Sequence, residues 1–348
     1  MSTTGSSNPE YVNARVRARR AALFSDDEYR KLVRMTPSEI ARYMEESEYE
    51  REINELGSRH SGVDLIEYSL NRNLAKHFND LLGFSEGRMY DLIARYLRKF
   101  DAWNVKTIMR GVYSGASRDS IETDLIRAGE FDESFLDRLL EASTIEDVVT
   151  TLDGTIFGDP LEAALEDFEE TDVLVPLENA VDRTFYEELL AELPSSEAID
   201  LYREFLEAEI DFRNARNALR LARSGADIDP AEYFIEGGRL FSARELEGLI
   251  QNPDQLITTI RDSSYGRELS GPLDELESAD SLIAFEHALE SVLLKYSRRL
   301  GNVYPLSICP VVAYILMKER EVENIRAIAR GREAGLSEAE IEGELVIL

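Results

Sequence analysis

One short pattern recurs three times at a fixed interval, and this repeat constrains the fold more than any other feature of the sequence. The segments NVKTIMRG, NARNALRL and NIRAIARG begin at Asn104, Asn214 and Asn324, so that each Asn follows the previous one by 110 residues. Self-similarity at a fixed period is the sequence signature of repeated structural units. The chain is therefore predicted to contain three copies of one unit, numbered here by their Asn in chain order.

Five further columns keep their register around each Asn. An acid precedes it by three residues, a base follows at +2, an arginine at +6, a glycine at +11, and a serine or aspartate at +13. In the order of the three copies, the matching residues are Asp101, Asp211 and Glu321; Lys106, Arg216 and Arg326; Arg110, Arg220 and Arg330; Gly115, Gly225 and Gly335; Ser117, Asp227 and Ser337. A register held over seventeen residues exceeds what composition alone produces.

Other blocks repeat with nearly the same period. Ile40, Val148 and Leu256 are 108 residues apart, and so are Tyr49, Phe157 and Tyr265. The segments EYSL, ENAV and EHAL, which begin at Glu67, Glu178 and Glu286, are predicted to start equivalent helices. We therefore divide the chain into a disordered N-terminus (1–12) and three helical units (13–129, 130–238 and 239–348), each long enough to bury a core of its own.

Helical periodicity dominates, and no stretch alternates convincingly as a strand does. The segment IEYSLNRNLAKHFNDLL repeats its apolar residues at helical spacing. Ser25, Ser242 and Ser337 are each followed three residues later by Glu, which is the pattern of a capping box. Asp229 before Pro230 fits an N-cap followed by proline in the first turn. The fold is predicted to be all-α.

On a helix, the repeated acid falls on the same face as the apolar residues at +1, +4 and +5, whereas the two bases fall on the opposite face. The glycine at +11 is expected to end the helix. A buried acid must be paired or hydrogen-bonded. It is either a polar clasp between helices or a ligand-binding or catalytic acid; its presence in all three copies favours the clasp. In copy 2, Leu221 replaces the glycine of Gly111 and Gly331, which predicts a longer helix there.

Charge and cysteine content limit the cellular environments and the classes of partner that the chain fits. The formal net charge is −30, from 69 acids and 39 bases. Such acidity without loss of apolar residues indicates a halophile's cytoplasm or, alternatively, an acidic surface for a basic partner, and it disfavours nucleic acid. The single Cys309 fits a reducing compartment. No secretory signal is apparent, and the apolar run 305–317 is predicted to be a buried helix because it is too short to span a bilayer.

Known catalytic and metal-binding motifs give no positive evidence for an enzyme. No phosphate-binding loop motif occurs, and the three histidines have no metal-ligand spacing. His77 is predicted to lie on a helix surface rather than to act as a base. The segment DGTIFGD (153–159) lacks the ligand pattern of a calcium loop. We therefore predict no catalytic, cofactor-binding or metal-ligating residues, and no cofactor.

The C-terminal segment YPLSICPVVAYILMKEREVENIRAIARG (304–331) resembles the signature of the C subunits of archaeal and bacterial A/V-type ATP synthases, which are related to the d subunits of vacuolar ATPases. The segments YVNARVRARRAALF (11–24) and NVKTIMRG (104–111) resemble the family's N-terminal helix and first inner repeat. The resemblance covers about residues 11–348. Copy 2 departs from it at Leu221, so the three units are not expected to be strictly equivalent.

The resemblance implies a non-catalytic, funnel-like adaptor of three similar helical domains. Such a protein would join the D and F subunits of the central shaft to the membrane rotor ring, on the cytoplasmic side as a peripheral membrane protein, and so couple ion transport to ATP synthesis or hydrolysis. No nucleic acid and no directly bound nucleotide are expected, and the membrane is contacted only through the ring. The alternative is a cytosolic helical-repeat scaffold for another protein partner, and an enzyme is a more distant third possibility.

Overall fold

The computed structural model describes residues 7–191, 193, 196–224, 233–279 and 282–346. Within these ranges the regular secondary structure is entirely helical, so the all-α prediction is confirmed. The residues of copy 2 that follow its helix, among them Gly225, Asp227, Asp229 and Pro230, lie outside the described residues.

The helices are given in chain order. The first seven are α1 (Pro9–Arg20), α2 (Asp26–Leu32), α3 (Pro37–Glu45), α4 (Glu50–Leu56), α5 (Gly62–Gly83), α6 (Gly87–Leu97) and α7 (Lys99–Ser114). The next six are α8 (Arg118–Thr123), α9 (Glu133–Leu139), α10 (Ile145–Thr151), α11 (Gly158–Thr171), α12 (Val175–Ala191) and α13 (Glu197–Ser224). The last six are α14 (Ala243–Ile250), α15 (Pro253–Asp262), α16 (Gly266–Ala279), α17 (Leu282–Val303), α18 (Cys309–Glu333) and α19 (Glu338–Gly343).

Local sequence accounts for many of the helix ends. The capping boxes predicted at Ser25, Ser242 and Ser337 are all present, because each serine pairs with the Glu three residues on. Gly115 and Gly335 have φ of 70° and 75° just past the ends of α7 and α18, where a left-handed residue terminates a helix. The disorder predicted for residues 1–12 is wrong for residues 9–12, which form the first turn of α1 with a proline at its start.

The chain forms two compact units. Unit 1 comprises Met1–Asn104, Asp119–Glu133 and Ser297–Leu348, and unit 2 comprises Val105–Arg118 and Ser134–Tyr296. The chain passes from one to the other inside α7, and again at three later points. The finer division into three helical units stays a prediction.

In unit 1 the long helix α5 packs against α3, α4 and α18, and α1 packs along α18. The N-terminal half of α18 is buried, including Val311, Tyr314 and Ile315. The apolar run predicted as a buried helix therefore is one, although its first four residues precede the helix. Both ends of the sequence thus contribute to one core.

In unit 2, α11 packs on α12, α15 packs on α16, and α13 contacts α14 and α15. The apolar core around α13 includes Phe212, Leu219, Leu246, Leu256 and Phe285. The helix of copy 2 is described to Ser224, ten residues past its Asn. The end of the longer helix predicted there falls at residues 225–232, which lie outside the described residues.

Candidate functional site: three repeated helix junctions

The three helices that carry the repeated Asn, called here the motif helices, are α7, α13 and α18. Their predicted apolar face is confirmed: Val105, Ile108 and Met109 of α7 are completely buried. The corresponding residues of the other motif helices are buried as well, namely Ala215, Ala218, Leu219, Ile325, Ile328 and Ala329. Each motif helix therefore presents the same face to a core.

Each repeated Asn forms two hydrogen bonds with the backbone of one residue further along the chain. Asn104 Nδ2 donates to the Ile126 carbonyl (2.8 Å), and the Ile126 amide donates to Asn104 Oδ1 (2.9 Å). Asn214 pairs in the same way with Ile235, at 2.7 and 2.9 Å. Asn324 pairs with Val346, at 3.1 Å for both bonds. The Asn therefore fastens the segment that follows each motif helix back onto it.

Each repeated acid accepts hydrogen bonds from the backbone at the start of the next copy. Asp101 accepts from the amides of Glu130 (2.7 Å) and Phe131 (3.1 Å). Asp211 accepts from the amides of Arg239 (2.6 Å) and Leu240 (2.7 Å).

In copy 3 the next copy is the first one. Glu321 accepts from the amide of Phe24 (2.6 Å), 297 residues earlier in the chain. The order of these contacts therefore runs from copy 1 to 2, from 2 to 3, and from 3 back to 1.

The acids differ in their additional donors. The Tyr265 hydroxyl donates to Asp211 (3.0 Å), and the Tyr49 hydroxyl donates to Glu321 (2.8 Å). Glu321 also forms a buried ion pair with Lys318, whose Nζ lies 2.7 Å from its carboxylate. Each of these tyrosines belongs to the copy that follows the acid, and the copy that follows Asp101 has Phe157 in this column, whose ring has no hydroxyl to donate. Asp101 is therefore held by backbone amides without a tyrosine.

Burial raises the pKa of Asp101 to about 7, and the two backbone N–H bonds only partly offset it. Burial also raises the pKa of Asp211, against the hydrogen bonds from Leu240 and Tyr265. In each copy the carboxylate accepts hydrogen bonds from backbone amides of the same protein, and in copies 2 and 3 also from a tyrosine hydroxyl. These partners favour the clasp interpretation over a ligand-binding acid.

The arginine at +6 pairs with a glutamate of a second helix in all three copies. Arg110 Nε and Nη2 donate to the two carboxylate oxygens of Glu178, at 2.5 and 2.9 Å. Arg220 binds Glu286 in the same bidentate way, at 2.7 and 2.8 Å. Arg330 pairs with Glu67. The glutamates are those of the ENAV, EHAL and EYSL segments, so these pairs also run from copy 1 to 2, 2 to 3 and 3 to 1.

The base at +2 faces the residue one turn further along the same second helix. Lys106 binds Asp182 (2.5 Å), which also accepts from Arg213 (2.8 Å). Burial raises the pKa of Asp182, but the charges of Arg213 and Lys106 outweigh this effect. The pKa is lowered overall, so this carboxylate stays ionised.

The other two copies vary this contact. Arg326 donates to the amide oxygen of Asn71 (2.6 Å), a neutral partner. Burial and the charges of Arg213 and Arg220 lower the pKa of Arg216, whereas the nearby charges of Glu286 and Glu290 raise it. In copies 1 and 3 the two bases of the motif helix thus bind two positions, one turn apart, on the helix of the next copy.

We call the contacts that each motif helix makes through its Asn, acid and bases a junction. The sequence predicts only part of each junction. Helical spacing correctly predicts that the bases lie opposite the apolar residues, but it does not identify the three glutamates as their partners. The signal was present: both columns repeat with the same period, and one is always basic and the other always acidic. The glutamates do not start their helices, which begin three to five residues earlier, at Val175, Leu282 and Gly62.

His77 is buried, and its predicted surface position is wrong. Its Nδ1 lies 2.5 Å from the Tyr314 hydroxyl. Burial lowers the pKa of His77 to about 2, with a further contribution from the charge of Lys318, so the ring is neutral. The prediction fails because another helix, α18, covers the side of α5 that carries His77. Within the described ranges no group of three or more His, Cys, Asp or Glu side chains could hold a metal ion.

Comparisons with known proteins extend over the whole chain. A family model described as ATP synthase (C/AC39) subunit matches residues 12–344. The C subunit of the A-type ATP synthase of Haloferax volcanii is 70% identical over 348 residues, covering 100% of both chains. The protein of the same name from Halobacterium salinarum is 61% identical over 352 residues, again covering 100% of both.

A more distant relative, the protein of that name from Methanococcoides burtonii, is 38% identical over 346 residues, covering 98% of this chain and 95% of its own. Among the helices of the described residues, none has both the length and the apolar character needed to cross a membrane.

Proposed function

The chain belongs to the ATP synthase C/AC39 subunit family, and we propose that it is the central-stalk component that links the rotating shaft of an A-type ATP synthase to its membrane rotor ring. The observation that carries this proposal is the full-length match to relatives named as the C subunits of A-type ATP synthases. Its partners are then the D and F subunits of the shaft and the ring. It lies at the cytoplasmic side of the membrane as a peripheral protein.

The repeated junctions suit a part that carries torque. A coupling element loses efficiency if its helices slide against each other under load. Here each motif helix is fastened at three points: its Asn, its acid and its bases. Bidentate arginine–carboxylate pairs such as Arg220–Glu286 also fix orientation, because two parallel bonds resist rotation. Close-packed interiors add stiffness, since they transmit strain with little compression.

In this role the chain performs no chemistry of its own. The nucleotide-binding and ion-binding steps belong to other subunits, and the sequence carries no phosphate-binding loop motif of its own. The acids at the centre of each junction serve the fold, since their carboxylates accept from backbone amides of the same chain.

The test is to reconstitute synthase membranes with and without this protein and to measure ATP-driven ion uptake beside the rate of ATP hydrolysis. Hydrolysis by the catalytic head should persist without it. Ion uptake should be lost, and so should the sensitivity of hydrolysis to a blocker of the membrane ring, because the shaft no longer engages the ring.

Normal ion uptake in membranes that lack the protein would contradict the coupling role. A chain that binds other cytosolic proteins, but is not recovered with any synthase subunit, would instead support the scaffold alternative. Saturable nucleotide binding by the isolated chain, measured by calorimetry, would contradict the proposal that this subunit is non-catalytic.

A further inference from the structure

Among the stretches of this acidic chain that contain no Asp or Glu, two contribute to the same unit of the fold. Residues 11–25 hold four arginines and no acid, and residues 291–318 form the longest acid-free stretch of the sequence. Since 69 of the 348 residues are acids, such stretches depart from the rest of the chain. Burial in α18 accounts for residues 309–318. It does not account for the exposed parts of α1 or for residues 298–306.

Within unit 1 the fold brings the part of the second segment that begins at Ser297 into contact with the first segment, although the two bonded residues are 294 apart in the sequence. Asn13 Nδ2 of α1 donates to the Ser307 carbonyl (3.1 Å). Seven residues further along α1, burial and then the charge of Arg298 lower the pKa of Arg20. The turn after α17 therefore contacts α1, and the charge of Arg298 at the end of α17 acts on Arg20. We call the exposed side of α1 together with residues 298–306 the basic face.

The basic face combines positive charge with exposed apolar side chains. Val303 and Leu306 are 57% and 51% exposed. Arg17 is exposed, and among the described residues no carboxylate forms an ion pair with Arg17, Arg20 or Arg298. The neighbouring Arg19 is different, because it turns away to pair with Asp80. The basic face is set apart because its unpaired arginines lie in acid-free segments together with exposed apolar side chains.

We propose that the basic face docks an acidic protein segment of another synthase subunit, with carboxylates on its arginines and apolar side chains on Val303 and Leu306. The identity of the complex rests on the proposed function. The chemistry of the partner rests on the face itself: interfaces pair opposite charges around an apolar centre, and arginine is enriched in them.

An acidic protein segment fits this face better than an anionic lipid surface does. Helices that lie in a lipid interface carry large apolar residues such as Trp, Phe and Leu on one side. The exposed side of α1 instead carries Ala14 and Ala18, with Tyr11 near its start and Ala21 directly after its end. Short side chains allow a second helix to approach closely. Arginine and carboxylate also pair by direct bidentate contact, which salt weakens less than attraction at a distance.

The first experiment reverses the charge of the face in the assembled synthase. The double variant Arg17→Glu with Arg298→Glu should lower the amount of this protein retained on washed synthase membranes by about tenfold, because like charges would then meet across the interface. The matched control is Arg42→Glu with Arg59→Glu, which reverses two exposed arginines of the same unit that have no ion pair among the described residues. It should leave retention unchanged. Thermal unfolding of each purified variant verifies that both fold.

The second experiment identifies the occupant. A photoreactive amino acid is placed at Val303 in the full synthase, and the crosslinked peptide is identified by mass spectrometry. A crosslink to an Asp- and Glu-rich peptide of another synthase subunit supports the proposal. A crosslink to lipid overturns the choice of a protein occupant, and the lack of any crosslink overturns the face as an interface.

The two proposals fail in different ways. If the charge-reversed protein is retained as well as the wild type, the basic face is wrong and the coupling role stands. If the wild-type protein is recovered with no other synthase subunit, both proposals fall.

Discussion

At the scale of single residues, the chain uses one device three times and varies its chemistry. A buried acid accepts backbone amides at the start of the next copy, but its other donors differ. Glu321 has a tyrosine and a lysine, Asp211 has a tyrosine, and the copy that follows Asp101 has Phe157 in the tyrosine column. Because the free energy of a buried carboxylate depends on each of its donors, the three junctions should respond differently to mutation and to pH.

The first prediction concerns Asp211. Replacing it with leucine leaves the amides of Arg239 and Leu240 and the Tyr265 hydroxyl without their acceptor. We expect the free energy of unfolding to fall by about 1–3 kcal/mol, as measured by denaturant titration. The control is Glu247→Leu, which changes an exposed acid of the same unit. An equal effect of both substitutions would contradict the clasp interpretation.

The second prediction concerns pH. The folded-state pKa of Asp101 is raised from 3.8 to about 7, so the native chain holds this proton more tightly than the unfolded chain does. Its contribution to stability is therefore fully present below about pH 4 and is lost as the pH rises through about 7. The variant Asp101→Asn cannot ionise there, and its stability should vary less between pH 4 and 7.

Denaturant titrations across that pH range compare the wild type, Asp101→Asn and the control Asp91→Asn, which changes an exposed acid of the same unit. The control should follow the wild type. If Asp101→Asn has the same pH dependence as the wild type, Asp101 does not carry the predicted proton.

At the scale of elements, the repeated contact is between a motif helix and one long helix of the following copy. These partner helices are α12, α17 and α5. Arg110, Arg220 and Arg330 are each roughly half exposed, whereas their glutamate partners are largely covered. Exposed ion pairs contribute little because water and salt screen them. The +6 pairs therefore select which faces meet, and the apolar contacts beneath them supply most of the stability.

The third prediction tests that selection. The single variants Arg220→Glu and Glu286→Arg each place like charges at the junction and should lower the free energy of unfolding by about 0.5–1 kcal/mol. The double variant restores the pair in reverse and should recover most of the loss. Denaturant titrations of the four proteins give the coupling energy. A double variant whose loss equals the sum of the singles would show that the contact is incidental.

The sequence predicted the elements better than their contacts. The three capping boxes, the buried face of α7 and the glycines after α7 and α18 follow from local rules, and all were found. Periodicity along one helix cannot reveal how many neighbours cover it. For that reason His77 was placed at the surface, and the acidic partners of the three arginines were not identified. Both errors concern contacts between residues distant in sequence, which only the fold specifies.

At the scale of the whole molecule, net charge is the dominant property. A chain of charge −30 repels itself in dilute buffer, and this repulsion favours the unfolded state. The screening length falls from about 10 Å at 0.1 M salt to about 3 Å at 1 M. The close relatives from Haloferax and Halobacterium fit this picture, since their names are those of halophilic archaea.

The fourth prediction follows directly. The thermal midpoint of the chain should rise between about 0.1 M and 1 M KCl, because salt removes repulsion that folding would otherwise intensify. Melting curves over that range measure it, with sucrose of equal osmolality as the control for general solute effects. A midpoint that stays constant or falls would refute the halophilic interpretation of the charge.

Unit 1 contains both residues 1–104 and residues 297–348, and this has a consequence for synthesis. A ribosome makes the first segment well before the second, so α1 and α5 emerge long before α18 exists to cover them. The Phe24 amide and the Tyr49 hydroxyl can meet Glu321 only after the ribosome has added a further 297 and 272 residues, respectively. A prematurely terminated chain leaves this half of the protein with an open core, which proteases and chaperones recognise. Only a chain that extends through α18 therefore closes this core.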